Sequence, residues 1–223
     1  TNDIFDGIAF YAGKTMSNGK ERYLAGWCPT RIGDGDSDQW GGSLVCHHML
    51  FNADGTIDLK LPDGIDKKFT ALKKTVLKAV KKENSYVLSD VASVSFPRLD
   101  KTCKIEATVK ATGDEDVFGF AFGACDDKTE VYSIRFDLKS KKMIMSKDDL
   151  TRGTTPTQTD VTLAVPADKQ FRVKIVAEKS VCVMYVNDKI AFSNRIDKMP
   201  KNPWAIFTDK GTEVSFSDIK VYE

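Results

Sequence analysis

From Ser85 to the C-terminus the chain reads as a series of short runs of β type, and this punctuated pattern narrows the fold more than any other feature. The runs are Tyr86–Val91, Cys103–Ala111, Val117–Phe122, Glu130–Leu138, Lys142–Ser146, Thr157–Ala164, Phe171–Ala177, Val181–Asn187, Ile190–Ile196, Pro203–Thr208 and Thr212–Tyr222. Alternation with period two is clear in Ile105, Ala107, Val109 and in Val173, Ile175, Ala177. Between the runs lie turn sequences such as Thr112-Gly113-Asp114, Asp126-Asp127-Lys128, Asn187-Asp188-Lys189 and Lys210-Gly211-Thr212. Asn, Asp and Gly tolerate the backbone angles that tight turns require. Many short strands at regular spacing predict two packed antiparallel sheets. Ile105, Val109, Phe120, Ile134, Phe136, Val173, Ile175, Val183 and Tyr185 are the expected inward positions.

The N-terminal stretch carries a second, smaller β unit. Ile8–Ala12, Arg22–Trp27 and Ser43–Leu50 are strand candidates. Ser17-Asn18-Gly19 makes a tight turn between the first two, and the acidic loop Gly33-Asp34-Gly35-Asp36-Ser37-Asp38 separates the second from the third. A fourth run, Ile57–Leu61, follows the turn Asn52-Ala53-Asp54-Gly55. Phe10 and Tyr11 are adjacent and must face opposite ways on a strand, as must Tyr23 and Leu24. A sheet apolar on both sides needs cover on both. One face is expected to pack on the sandwich, the other to be covered by Lys67–Lys82 or by a second molecule. That segment reads either as a helix, with Phe69, Leu72, Val76, Leu77 and Val80 on one stripe, or as two short strands around Lys78. Its lysines form a solvated face.

The order of residues in this N-terminal unit resembles the last propeller blade of glycoside hydrolase family 32, the invertase, inulinase and levanase group. Phe10-Tyr11-Ala12-Gly13-Lys14-Thr15, then Arg22-Tyr23-Leu24-Ala25-Gly26-Trp27, then Trp40-Gly41-Gly42 follow the family's outline. Cys46-His47-His48 stands where the family has Pro-Arg. Further on, Glu178-Lys179-Ser180-Val181-Cys182-Val183-Met184-Tyr185-Val186-Asn187-Asp188-Lys189 is similar to a hairpin of the family's C-terminal sandwich. The resemblance implies an all-β chain: a jelly-roll-like antiparallel β-sandwich preceded by a small blade-like antiparallel sheet. The expected division is 1–66 for the blade-like sheet, 67–84 for a connector and 85–223 for the sandwich.

Hydrolysis with retention needs two carboxyl groups about 5–5.5 Å apart. The family supplies them from N-D-P-N-type and E-C-P motifs, with a third Asp in R-D-P. None of these motifs is present; the one Cys-Pro, Cys28-Pro29, follows Trp27 rather than Glu. The resemblance therefore implies a non-catalytic C-terminal module of a protein acting on fructans or sucrose-type sugars, one that supports the propeller and contacts carbohydrate. A free-standing carbohydrate-binding or adhesion-type sandwich is the alternative, and a complete enzyme with unrecognised residues a third.

The candidate carbohydrate-contacting residues are Trp40, Asp36, Asp38, Gln39 and His48. An indole can stack on a sugar ring while polar neighbours fix its hydroxyls; Trp27 reads instead as blade core. Asp34, Asp36 and Asp38 have the spacing that opens a calcium loop, but Gln39 replaces the turn glycine and Val45 falls where a bidentate Glu is needed. His47 and His48 point to opposite faces of a strand and cannot share a metal. No metal and no cofactor is expected.

The bulk numbers agree with this reading. The 223 residues hold 33 basic and 32 acidic side chains, a net charge of +1, which argues against a nucleic-acid partner. No stretch approaches the length of a membrane span. The five cysteines form no CxxC pair and leave at least one thiol free, so most read as small buried hydrophobes. Starting at Thr1 without a signal segment reads as a processed or trimmed polypeptide, and an extracytoplasmic location follows from the resemblance. The expected partners are carbohydrate, the rest of a propeller or a second copy of the chain.

Overall fold

The computed structural model describes residues 5–31, 38–72, 85–99, 101–123, 131–148, 157–196 and 202–223. Four strands, β1 (Tyr11–Ser17), β2 (Arg22–Arg31), β3 (Asp38–Phe51) and β4 (Ile57–Lys60), pair antiparallel in chain order as a meander. A single helical turn, α1 (Asp63–Asp66), follows. The remaining strands are β5 (Ser85–Ser89), β6 (Ala92–Phe96), β7 (Cys103–Ala111), β8 (Val117–Phe122), β9 (Val131–Asp137), β10 (Lys142–Asp148), β11 (Thr157–Thr162), β12 (Gln170–Glu178), β13 (Val181–Val186), β14 (Ile190–Arg195), β15 (Trp204–Thr208) and β16 (Glu213–Tyr222). They form two six-stranded antiparallel sheets, ordered β14-β13-β12-β7-β16-β5 and β11-β10-β9-β8-β15-β6. The expected antiparallel sandwich with a small sheet before it is what the chain folds into.

Between the two larger sheets lies an aromatic core. Phe118 and Phe136 stack with centroids 5.0 Å apart, and Phe96 stacks on Trp204 at 4.2 Å. Phe118 and Phe120 both meet Phe216 edge-on, an arrangement the ring quadrupoles favour. Phe118, Phe120 and Phe122 take alternate positions on β8, and Gly119 sits among them because a Cβ there would stand 2.1 Å from the Ile134 carbonyl oxygen. The backbones of β8 and β9 come closer at that point than any side chain allows.

The small sheet packs one face on the sandwich through a second apolar cluster. Leu24, Cys28, Val45, Met49, Leu59 and Leu61 meet Val181, Val183, Tyr185 and Ala191. All six residues of β13 are therefore buried. Cys182, Met184 and Val186 face the aromatic core, while Val181, Val183 and Tyr185 face the small sheet. Val183 and Tyr185 are thus inward, but toward the opposite side from the one expected. At the hairpin after β13, Asn187 and Asp188 both adopt positive φ, the turn that matches the twist of paired strands.

Two further expectations are corrected. Tyr86–Val91 is not one strand that ends at Val91: the chain turns at Asp90, with φ of 52°, and β6 continues in the other sheet. The segment after Asp66 is not helical as far as Leu72, where Leu72 makes an isolated bridge to Tyr222 and Ala71 exchanges backbone hydrogen bonds with Glu223. These residues lie on the sandwich and not on the small sheet; residues 73–84 are outside the described residues. Among the described residues no helix is long and apolar enough to cross a membrane.

Asp66 fastens this strap to the sandwich. It accepts from Lys104 and, at 3.0 Å, from Lys174, while Lys104 also reaches Glu106 at 2.7 Å and sits over the Tyr222 ring. Burial opposes charge on Asp66, but the two lysines outweigh it and hold its carboxyl below the usual range; burial likewise opposes charge on both lysines, and their carboxylate partners hold them above theirs. The depressed carboxyl contributes stability that is lost as pH falls through its folded value. The raised ammonium groups contribute stability that is lost as pH rises past the ordinary lysine range. The strap is expected to stay docked from mild acid to mild alkali and to loosen at both extremes. Amide exchange at Ala71 and Leu72 across that range checks this, and Asp66→Asn should remove the acid limb.

Candidate functional site

Polar chemistry concentrates where the small sheet meets the sandwich. Asp6 is buried there with its carboxylate accepting from every side. Oδ1 accepts from the Gly7 and Ser193 amides, each at 2.6 Å, and Oδ2 accepts from Ser193 Oγ at 2.5 Å and His47 Nε2 at 3.0 Å. An ionised carboxylate only accepts, so Nε2 carries a proton. The other nitrogen, Nδ1, lies 3.0 Å from the Tyr185 hydroxyl, which also stands 3.4 Å from the Cys46 carbonyl. Burial, with the Asp6 charge next, pushes the Tyr185 hydroxyl well above the ordinary tyrosine range.

An aspartate, a histidine and a serine in contact invite comparison with a nucleophilic triad, but the order of contacts is wrong. Ser193 Oγ bonds to Asp6 and not to His47, so the imidazole is not placed to take its proton. Both His47 and Ser193 are fully buried, and nothing polar reaches them from solvent. This is a structural joint. A second tie lies beside it, where Arg195 donates to Ser180 Oγ at 2.6 Å, the Cys28 carbonyl at 2.8 Å and Ser43 Oγ at 3.2 Å.

The other face of the small sheet is uncovered among the described residues. Tyr11 lies against Trp27 with centroids 5.7 Å apart, and Leu44 pairs opposite Trp27. Leu44 is 79% exposed, Met16 52% and Tyr11 50%, which is a large apolar share for one sheet face. His48 lies on this side too, paired opposite Tyr23 with rings 5.2 Å apart. Its Nδ1 is buried without a hydrogen-bond partner. Tyr23 itself donates to Glu21 at 2.5 Å; that bond holds the Glu21 carboxyl below, and the Tyr23 hydroxyl above, its usual range.

The residues singled out from sequence do not gather at one place. Asp38 and Gln39 pair with Arg31 and Thr30 across a bulge, and Trp40 follows them on β3. His48 is eight residues further along the same strand, roughly 25 Å away at about 3.3 Å per residue. Asp36 and Asp34 are outside the described residues, so the calcium spacing falls there, as does Cys125. Among the described residues no group of three or more His, Cys, Asp or Glu could hold a metal ion. Cys46 and Cys182 are free thiols, and burial pushes Cys182 far up.

The adjacency of His47 and His48 did predict opposite faces, and the structure has them so. The partners of His47 were missed. The available signal was Ser193-Asn194-Arg195, polar residues inside an otherwise apolar run on a strand buried along its length.

A family model described as "GH32, BT1760-like, C-terminal domain" matches residues 55–221, from the β3–β4 turn to the end of β16. The chain belongs to this family. As a GH32 C-terminal domain it is a non-catalytic β-sandwich module, and its match takes in β4 of the small sheet. Comparison of the sequence with curated proteins finds no match. Solved structures resemble it in fold at low identity. An exo-inulinase from Aspergillus awamori has a TM-score of 0.68 at 15% identity, covering 98% of this chain and 44% of its own. An Aspergillus kawachii beta-fructofuranosidase complexed with glycerol gives 0.68 at 15%, covering 98% and 46%. A sucrose-6-phosphate hydrolase from Lactobacillus gasseri gives 0.61 at 16%, covering 98% and 42%. The GH32 module thus spans less than half the length of these proteins.

Removing the Asp6 carboxylate strands four donors in a buried place. Asp6→Ala is expected to cost about 3–5 kcal/mol, and His47→Phe about 2–3 kcal/mol by leaving Asp6 and Tyr185 short of a partner. His48→Phe replaces an imidazole whose Nδ1 is already unsatisfied and should fall within about 1 kcal/mol of the parent. Urea unfolding midpoints of the three variants check the ranking.

Proposed function

We propose that this chain is the C-terminal part of an extracytoplasmic protein that acts on fructans or sucrose-type sugars. In this reading 1–66 is the last propeller blade, 67–84 a connector and 85–223 the sandwich that braces it. The observation that carries the proposal is the small sheet with one face packed on the sandwich and the other uncovered among the described residues. Tyr11, Met16 and Leu44 on the open face are what a neighbouring blade would cover. The length supports this too, since the chain covers 44% of the exo-inulinase that it resembles along 98% of itself. Catalysis would belong to the part of the propeller that brings the carboxylates.

Sugar contact is assigned to the loop end of β3, with Trp40 as stacking surface and Asp36, Asp38 and Gln39 as hydroxyl partners. His48, at the other end of the strand, would serve the blade-to-blade face and not the same sugar.

The isolated chain is expected to release no fructose from sucrose, inulin or levan. Fructose release by purified protein, abolished on mutating one of its own carboxylates, would overturn the assignment. Leu44→Asp combined with Met16→Lys should lower binding of a hydrophobic dye to the isolated chain without shifting its unfolding midpoint. It should also block association with the remainder of a propeller. Trp40→Ala should weaken fructan binding about tenfold, the loss of about 1.4 kcal/mol of stacking; unchanged binding would remove Trp40 from the site.

A further inference from the structure

On the sandwich, a recess of about 390 Å³ opens where the β11–β12 connection meets the β13–β14 turn. Its volume falls within the range of small-ligand pockets, at the low end. One wall is apolar, made by Val165 and Pro166. Ala164, Asp168, Gln170, Arg172, Asn187 and Lys189 complete the lining.

Two of these polar groups are held by the backbone in a way that leaves half of each group free. Asn187 accepts from the Arg172 amide at 2.8 Å through Oδ1, and its own amide donates to the Arg172 carbonyl at 2.9 Å. With Oδ1 engaged, the Nδ2 amide is left to donate elsewhere. Asp168 accepts from the Gln170 amide at 3.1 Å through Oδ1, which leaves Oδ2 as an acceptor. The loop carrying Asp168 is pinned by Lys169, whose amide donates to Pro166 and whose ammonium donates to the Thr112 carbonyl, both at 2.9 Å. Groups fixed before a ligand arrives lose little freedom on binding it.

The chemistry of this set selects a ligand class. A free carboxylate oxygen, two amides and a guanidinium fork offer both acceptors and donors, which vicinal hydroxyls satisfy in pairs. Arg172 and Lys189 would draw an anion, but Asp168 stands against it, so an uncharged polyhydroxylated ligand fits better than a phosphate. Among the described residues no aromatic side chain lines the recess, so a flat pyranose face finds no platform on them. We propose that this recess binds a short uncharged saccharide, which on the fructan reading above, where the sugar class rests, is a fructosyl unit.

The test titrates the whole chain with an inulin-type tetrasaccharide and, separately, with maltotriose, following backbone amide shifts and binding heat. Saturable binding of the fructosyl ligand is expected, with shifts at Gln170, Arg172 and Asn187. Arg172→Ala and Asp168→Ala, both exposed positions, should each weaken it about tenfold. Trp40→Ala should leave those shifts in place. Affinity unchanged in both recess variants overturns the inference, as does saturation by inorganic phosphate with no response to either sugar. Loss of fructosyl binding in Trp40→Ala alone overturns the recess and leaves the fructan reading standing. Maltotriose bound through Arg172 and Asp168, with no response to the fructosyl ligand, upholds the recess and overturns the fructan reading.

Discussion

The carboxylate of Asp6 ties the small sheet to the sandwich from three segments of the chain at once. Apolar contact between Leu24, Val45, Met49, Val183 and Ala191 supplies attraction but little direction, because such surfaces slide at small cost. The Asp6 carboxylate does have direction. It draws donors from the N-terminal segment, from β3 and from β14, and a buried carboxylate short of any of them carries a desolvation cost. Its 2.6 Å bond to the Ser193 amide joins residues 187 apart in sequence. The hydrogen count also closes in two ways. With neutral His47, Tyr185 donates to Nδ1; with protonated His47, Nδ1 donates to the Tyr185 oxygen and Tyr185 donates to the Cys46 carbonyl. Neither state strands a polar atom.

This joint explains the composition of the β13–β14 hairpin. An antiparallel strand with one wet face alternates, whereas one covered on both sides does not. Val181-Cys182-Val183-Met184-Tyr185-Val186 is buried throughout because it is the middle layer of three. The polar residues of β14 follow from the same position: Ser193 and Arg195 face the small sheet, where Asp6 and the Cys28 carbonyl await them, while Phe192 faces the aromatic core. Arg195 is a buried cation whose mapped acceptors are neutral oxygens, and its Nε is left without a partner, so this tie is the weaker of the two.

The parts of the fold legible in the sequence were those set by local rules. Strands with one buried face, such as β7 and β12, show alternation that needs no knowledge of partners. The Asn187-Asp188 turn was visible because few residues accept two successive positive φ values. What failed depended on a third layer. Alternation assigns residues of β13 to two faces but cannot say which face is which, so Val183 and Tyr185 were placed on the wrong side. The Asp90 switch into β6 was hidden because an exposed Val91 prolongs the apolar run. At the candidate site, the family outline pointed to Trp40 and its neighbours, and adjacency separated His47 from His48. Nothing local connected His47 to Asp6, 41 residues earlier, or to Tyr185, 138 later.

The middle layer also links the joint to the saccharide recess. Tyr185 of the joint precedes Val186 and then Asn187 of the recess on the same hairpin, and the Lys189 carbonyl accepts from the Leu59 amide of β4 at 2.9 Å. The recess therefore rests on backbone that the small sheet helps to hold. A substitution in the joint and one in the recess differ in kind. Changing Asp6 or His47 removes donors or acceptors that no solvent replaces, so the damage is paid in folding stability before any ligand is present. Changing Arg172 or Asp168 takes away groups that water already solvates, and the folded state is little altered. A joint variant that weakens saccharide binding would do so through the turn's geometry at Lys189, whose carbonyl accepts from the small sheet. The two bonds of Asn187 to Arg172 are short-range within the sandwich sheet, whereas the Lys189–Leu59 bond is where the small sheet steadies that turn. Loss of the joint then reaches the recess through Lys189, which both lines it and takes the Leu59 bond.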